Sequence, residues 1–159
     1  MDIANKRRYI AISFWGFATL GCMSIIFFMS HKPAVESAEM SGFIVEWLLA
    51  RGIGKDLADS LDFIVRKCAH MAEYFVLACC MSFLFIYIKN SHAIGVRILA
   101  LIMSVIYAVS DEVHQLFVPG RAGKASDVLI DSIGIVLAFV IITLYIKCRQ
   151  ASTYSAKEH

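Results

Sequence analysis

Within residues 107–121, YAVSDEVHQLFVPGR, two carboxylates (Asp111 and Glu112), an imidazole (His114) and a carboxamide (Gln115) fall inside five positions. Histidine beside carboxylates is a combination that moves protons near neutral pH, because burial and charged neighbours tune both groups. Two carboxylates in unlike surroundings can divide acid and base roles. Arg121 adds a planar fork suited to a phosphate or carboxylate. Two other segments carry the same residue types: RKCAHMAEY holds Arg66, Lys67, His70, Glu73 and Tyr74, and ASDVLIDSIG holds Asp127 and Asp131. The chain lacks G-x-S-x-G and HExxH, so no established hydrolase signature defines the chemistry. His70, Glu73, His114 and the aspartates are ligand types that suit zinc. The i, i+3 pair His70/Glu73 is common by chance, so neither a metal nor another cofactor is assigned, and a divalent ion stays only a chemical option.

What must position these groups is a membrane fold. Hydrophobic residues make up 59% of the 159 residues and charged residues 18%, with mean hydropathy +0.70. Such a composition cannot cover a globule with a water-facing shell. Four apolar stretches, at 9–29, 69–88, 94–118 and 128–146, each approach or exceed the roughly 20 residues that cross a ~30 Å hydrocarbon core. The expected fold is all-α: an integral membrane four-helix bundle forming one domain over 1–150, with 151–159 as a frayed tail. The basic NKRR start resembles a signal peptide, but the apolar run continues past Cys22 with no small-x-small cleavage site, which favours a retained span. Five cysteines without a CxxC pair read as small packing residues. A net charge of +2 with no basic cluster excludes nucleic acid as a partner.

Lys6, Arg7, Arg8, Lys89, Arg97, Lys147 and Arg149 flank the ends that lie with the termini. The positive-inside tendency therefore puts both termini in the cytoplasm of a multi-pass cytoplasmic-membrane protein. The long connection at 30–68 then lies outside. In it, Met40, Phe43, Ile44, Trp47 and Leu48 recur at helical spacing, predicting an amphipathic extracytoplasmic helix between the first two spans. That helix suits a lid packed on its neighbours as well as a lipid-contacting surface. Leu57, Leu61, Ile64 and Val65 are expected on one face leading into span two.

Alternation brings the start of span two, the end of span three and the start of span four to one membrane face. Arg66, His70, Glu73, Tyr74 and Leu77 form one helical stripe. Tyr107, Asp111, His114 and Gln115 repeat the offsets, with Glu112 turned aside. Asp127, Asp131, Gly134 and Ala138 make the third stripe. Pro119-Gly120 suits the middle of a type II turn, from which Arg121 can swing over the acids. Ser126 is expected to cap the last span. Asp111 and Glu112, near a helix C-terminus, need a proton or a cation such as Arg121, Lys124, Arg66, Lys67 or a protonated His70 or His114. The three stripes should converge inside the bundle.

Taken together, RKCAHMAEY and YAVSDEVHQLFVPGRAGKASDVLIDSIG resemble the VanZ-like family, as does the spacing of Ser37 and Ser41. The resemblance implies a small polytopic protein of bacterial envelopes, in a family whose founding member is associated with teicoplanin resistance. The matching positions are His70, Glu73, Tyr74, Asp111, Glu112, His114, Gln115, Pro119, Gly120, Arg121, Asp127 and Asp131. One reading is an enzyme acting on a membrane lipid or lipid-linked cell-wall intermediate. Its catalytic set would be His70, Glu73, Asp111, Glu112 and His114, with Glu112 or Asp111 as base and His114 as acid. Arg66, Lys67, Tyr74, Gln115, Arg121, Asp127 and Asp131 would then bind the ligand. A second reading is a non-catalytic module in which Arg121, Lys124, Arg66 and Lys67 clasp an anionic headgroup. A third is a polar cluster that only ties helices together. Proton or ion transport is disfavoured, because the inner halves of the spans hold few polar residues. Nothing in the sequence sets an oligomeric state.

Overall fold

The computed structural model describes residues 2–155, without the side chains of 34, 36–41 and 154–155. Five helices follow in order: α1 (Ile3–Ser30), α2 (Ala34–Leu49), α3 (Lys55–Lys89), α4 (Ile94–Gln115) and α5 (Ala125–Ser155). All but α2 are long and apolar enough to cross a membrane. The outward surface is correspondingly rich in large apolar side chains such as Phe14, Phe17, Leu20, Phe28, Leu129 and Leu144. In lipid such a surface costs nothing, and helices satisfy their own backbone polar groups.

The core lies where α3, α4 and α5 meet. Ala100, Ala108 and Ala138 are fully buried around Tyr74, Leu77 and Ile135. Small residues let membrane helices approach closely, which gains dispersion contacts where no hydrophobic drive exists between helices. Gly134 marks the tightest crossing: a Cβ there would stand 2.1 Å from the Met71 carbonyl oxygen. α1 packs on α3, with Trp15 stacked on Phe83 at 4.8 Å.

As expected, the stretch after Gly54 is helical and runs straight into the second span as α3, from Lys55. Element boundaries differ from expectation in two places. α4 stops at Gln115, three residues before Val118, and the backbone turns through Pro119 and Gly120. α5 runs to Ser155, so 151–155 extend the helix, while 156–159 lie outside the described residues.

The predicted amphipathic helix is α2, though its stripe divides. Leu48 is buried and Ile44 half-buried, whereas Phe43 and Trp47 face outward. Trp47 carries the Arg51 guanidinium 3.4 Å from its ring centroid. Packed and exposed apolar side chains thus coexist on one helix. The side chains of Met40, Ser37 and Ser41 lie outside the described residues. Of the face expected from Leu57, Leu61, Ile64 and Val65, Leu61 is half-buried and the other three are exposed, while Ala58 and Asp62 are buried.

Candidate functional site

The polar residues gather at the end of the bundle where α1 and α4 finish and α3 and α5 enter their spans. The turn that closes α4 is the expected one. Arg121 N–H donates to the Val118 carbonyl at 3.1 Å, and Gly120 has φ of 74°, as the third residue of a type II turn requires. The loop then passes close over the last turn of α4. A Cβ at Gly123 would lie 2.7 Å from the Glu112 carbonyl oxygen, so only glycine fits. This approach lets the Lys124 N–H donate to Glu112 Oε1 at 2.6 Å. The acid thereby pins the loop that leads into α5.

A small cavity of about 30 Å³ sits between α3, α4, this loop and α5. Lys67, His70, Glu112, Gln115, Arg121, Asp127 and Asp131 line it, with Ile130. Lys67 donates to Asp127 Oδ1 at 2.6 Å, and Ser126 also donates to that oxygen at 3.2 Å. Ser126 therefore supports Asp127 and is not the helix cap, since α5 has already begun at Ala125. Asp131 is only 4% exposed, and its Oδ1 has no hydrogen-bond partner among the described residues.

A second group faces α1. Ser30 donates to Asp111 Oδ2 at 2.8 Å, and Gln115 donates to the same oxygen at 3.1 Å. Asp111 Oδ1 has no hydrogen-bond partner among the described residues. Tyr74, 1% exposed, sets its hydroxyl beside Asp111 without closing a hydrogen bond of good geometry. His114 pairs with His31 across 3.3 Å, and both rings pack on Phe27. Gln115 joins the groups, since it also lines the cavity.

The structure thus brings together most of the expected set, with three changes of role. Glu112, expected to point aside, is buried and lines the cavity, because α4 presents it to the loop and α5. His114 turns toward α1 and away from the cavity, leaving His70 as its imidazole. Arg66 faces outward and pairs with Asp62 at 2.7 Å, so Lys67 is the cation that α3 delivers. Glu73 lies 3.7 Å from His70 at the edge of the group. Among the described residues, no three His, Cys, Asp or Glu side chains converge as a metal site.

The VanZ/LLP1 family model matches residues 15–146. The chain belongs to this family. Nothing among curated proteins or solved structures matches it. The VanZ/LLP1 match runs from within α1 to within α5 and so takes in every element that builds the site.

Sequence reasoning missed the part that α1 plays in this VanZ/LLP1 chain. Arg121 does not lie over the acids alone: its Nε donates to Lys32 O and its Nη2 to Met29 O, both at 3.1 Å. It caps the carbonyl end of α1, where a cation also complements the helix dipole. Ser30, His31 and Lys32 therefore belong to the site's frame. A serine and a histidine at the end of a span carry no periodic signal, so pattern alone could not single them out. Arg121→Ala is expected to cost about 1–3 kcal/mol by leaving carbonyls unsatisfied. Thermal denaturation in detergent reads this as a lowered midpoint relative to the wild type.

Proposed function

We propose that this VanZ-family membrane protein processes the polar headgroup of an envelope lipid or lipid-linked glycan by general acid–base chemistry. The observation that carries the reading is the charge balance of the cavity. Glu112, Asp127 and Asp131 face only two fixed cations, Lys67 and Arg121. Lys67 is engaged by Asp127, and Arg121 donates to backbone carbonyls. An anionic group entering here meets surplus carboxylate, which argues against a simple headgroup clasp. A neutral hydroxyl or a water meets a proton acceptor and an imidazole.

About 30 Å³ admits a water or one hydroxyl, and no whole headgroup. The reacting group enters and the remainder of the lipid stays at the mouth. Glu112 or Asp131 accepts the proton of that water or hydroxyl, and His70 returns a proton to the leaving oxygen. Tyr74, Gln115 and Arg121 hold the frame around them.

In this reading the site lies at the outer face of the cytoplasmic membrane, with both termini in the cytoplasm. The support is the run of cations at the other end of the bundle, Lys6, Arg7, Arg8, Lys89, Lys147 and Arg149. Its link to teicoplanin resistance, implied by the family, would follow if a modified surface lipid alters how the antibiotic's acyl tail reaches its target. The test is mass spectrometry of lipids after incubating envelope lipid extract with the reconstituted protein. A headgroup product formed by the wild type and lost when both carboxylates are neutralised, in Glu112→Gln combined with Asp131→Asn, is expected. A specific lipid that copurifies unchanged, with no product, would favour the non-catalytic binding module.

A further inference from the structure

The far end of the bundle holds a larger concavity, about 660 Å³, between the last turns of α3, the α3–α4 link and the end of α5. Its volume falls in the range of small-molecule sites. Phe83, Ile86 and Ile146 make an apolar floor. His92, Arg149 and Thr153 stand at the rim. α5 has 31 residues, so it extends roughly 46 Å and overshoots a ~30 Å hydrocarbon core. The floor therefore lies at acyl depth and the rim at headgroup depth. Tyr87 and Tyr145 line the groove between the two, as amphipathic rings do at a membrane interface.

The charge at this end is one-sided. Lys6, Arg7, Arg8, Lys89, Arg97, Lys147 and Arg149 face Asp2 as the only acid among the described residues there. Some of these cations are already used: Arg8 donates to the Tyr87 and Ile88 carbonyls at 2.9 and 2.7 Å, and Arg97 to the His92 carbonyl at 2.6 Å. Arg149 is not. Its guanidinium lies 5.9 Å from the Tyr145 ring and forms no ion pair among the described residues. A groove with an apolar floor and an uncommitted guanidinium at headgroup depth selects an amphiphile with an anionic head.

We propose that the groove between α3 and α5 binds an anionic phospholipid, its phosphate on Arg149 and His92 and an acyl chain along Phe83, Ile86 and Ile146. The site is separate from the carboxylate-rich cavity at the opposite end and stands whether or not that cavity is catalytic.

The full chain, reconstituted in nanodiscs of phosphatidylcholine and phosphatidylglycerol and released for native mass spectrometry, tests this. One phosphatidylglycerol per chain is expected to be retained over phosphatidylcholine. Arg149→Gln should lower that retention about fivefold, the effect of one basic contact at a membrane surface. Thr153→Trp, at an exposed rim position, should block the groove and lower retention with the fold intact. Lys6→Gln, at the same end but outside the groove, should leave it unchanged. Equal retention of the two lipids overturns the proposal, as does an equal loss with Lys6→Gln, which would mean a general basic surface. Release of the lipid by millimolar inorganic phosphate would mean a phosphate site and not a lipid groove, and would also overturn it.

Discussion

Gly134→Leu is expected to abolish the folded protein, seen as loss of the monodisperse peak when detergent extracts are run on size exclusion. The first side-chain atom alone would sit 2.1 Å from the Met71 carbonyl oxygen and 3.2 Å from the Phe75 nitrogen. These are backbone atoms of a long helix, so no rotamer change relieves the overlap. Overpacking a core costs about 1–3 kcal/mol when side chains can adjust, and more where they cannot. Here α3 and α5 must separate along their length, which opens the contacts of Leu77, Ala138 and Ile135. Even Gly134→Ala should lower the melting temperature clearly. Gly21→Leu is the matched control, since a Cβ there meets nothing within 4 Å and faces away from the core. If Gly134→Leu melts like the wild type, the α3–α5 crossing described above is wrong.

Under the proposed acid–base function, His70→Ala should reduce product formation on the order of 10²–10⁴-fold, the usual contribution of a positioned proton carrier. His114→Ala should reduce it less than about tenfold, because His114 meets His31 and Phe27 outside the cavity and acts only through the position of α1. The two substitutions remove the same chemical group from neighbouring helices, so their ratio reports placement and not residue type. Circular dichroism of both variants guards against a loss of fold. Equal large losses would return His114 to the catalytic set, and equal small losses would remove imidazole chemistry from the mechanism.

Much of this architecture is legible in the sequence, for a definable reason. Span count follows from apolar length alone, which lipid enforces without tertiary context. The gathering of Asp111, Glu112, His70, Asp127 and Asp131 at one end follows from alternation of the spans. Azimuth is the part that pattern cannot fix. Glu112 and His114 exchange places relative to expectation because α4 turns Glu112 toward the loop and α5, a rotation that no periodicity specifies when both helix faces are apolar. Arg66 and Lys67 differ for a similar reason: adjacent positions on a helix point about 100° apart, and the rotation of α3 gives Lys67 to the cavity and leaves Arg66 with Asp62 on its own helix. The contribution of Ser30 and His31 is long-range, 81 and 83 residues from their partners, and local sequence carries no trace of it.

That separation has a consequence for biogenesis. α1 buries little of itself, only Thr19, Ile26 and Ser30, and its last carbonyls wait for Arg121, 92 residues downstream of Met29. During synthesis the end of the first helix therefore sits without this latch until the third spanning helix and its following turn have emerged. Release from the ribosome before that point yields a chain whose leading helix is inserted yet unlatched. The clasp makes emergence of the turn after α4, and not insertion of α1 itself, the event that latches the first helix.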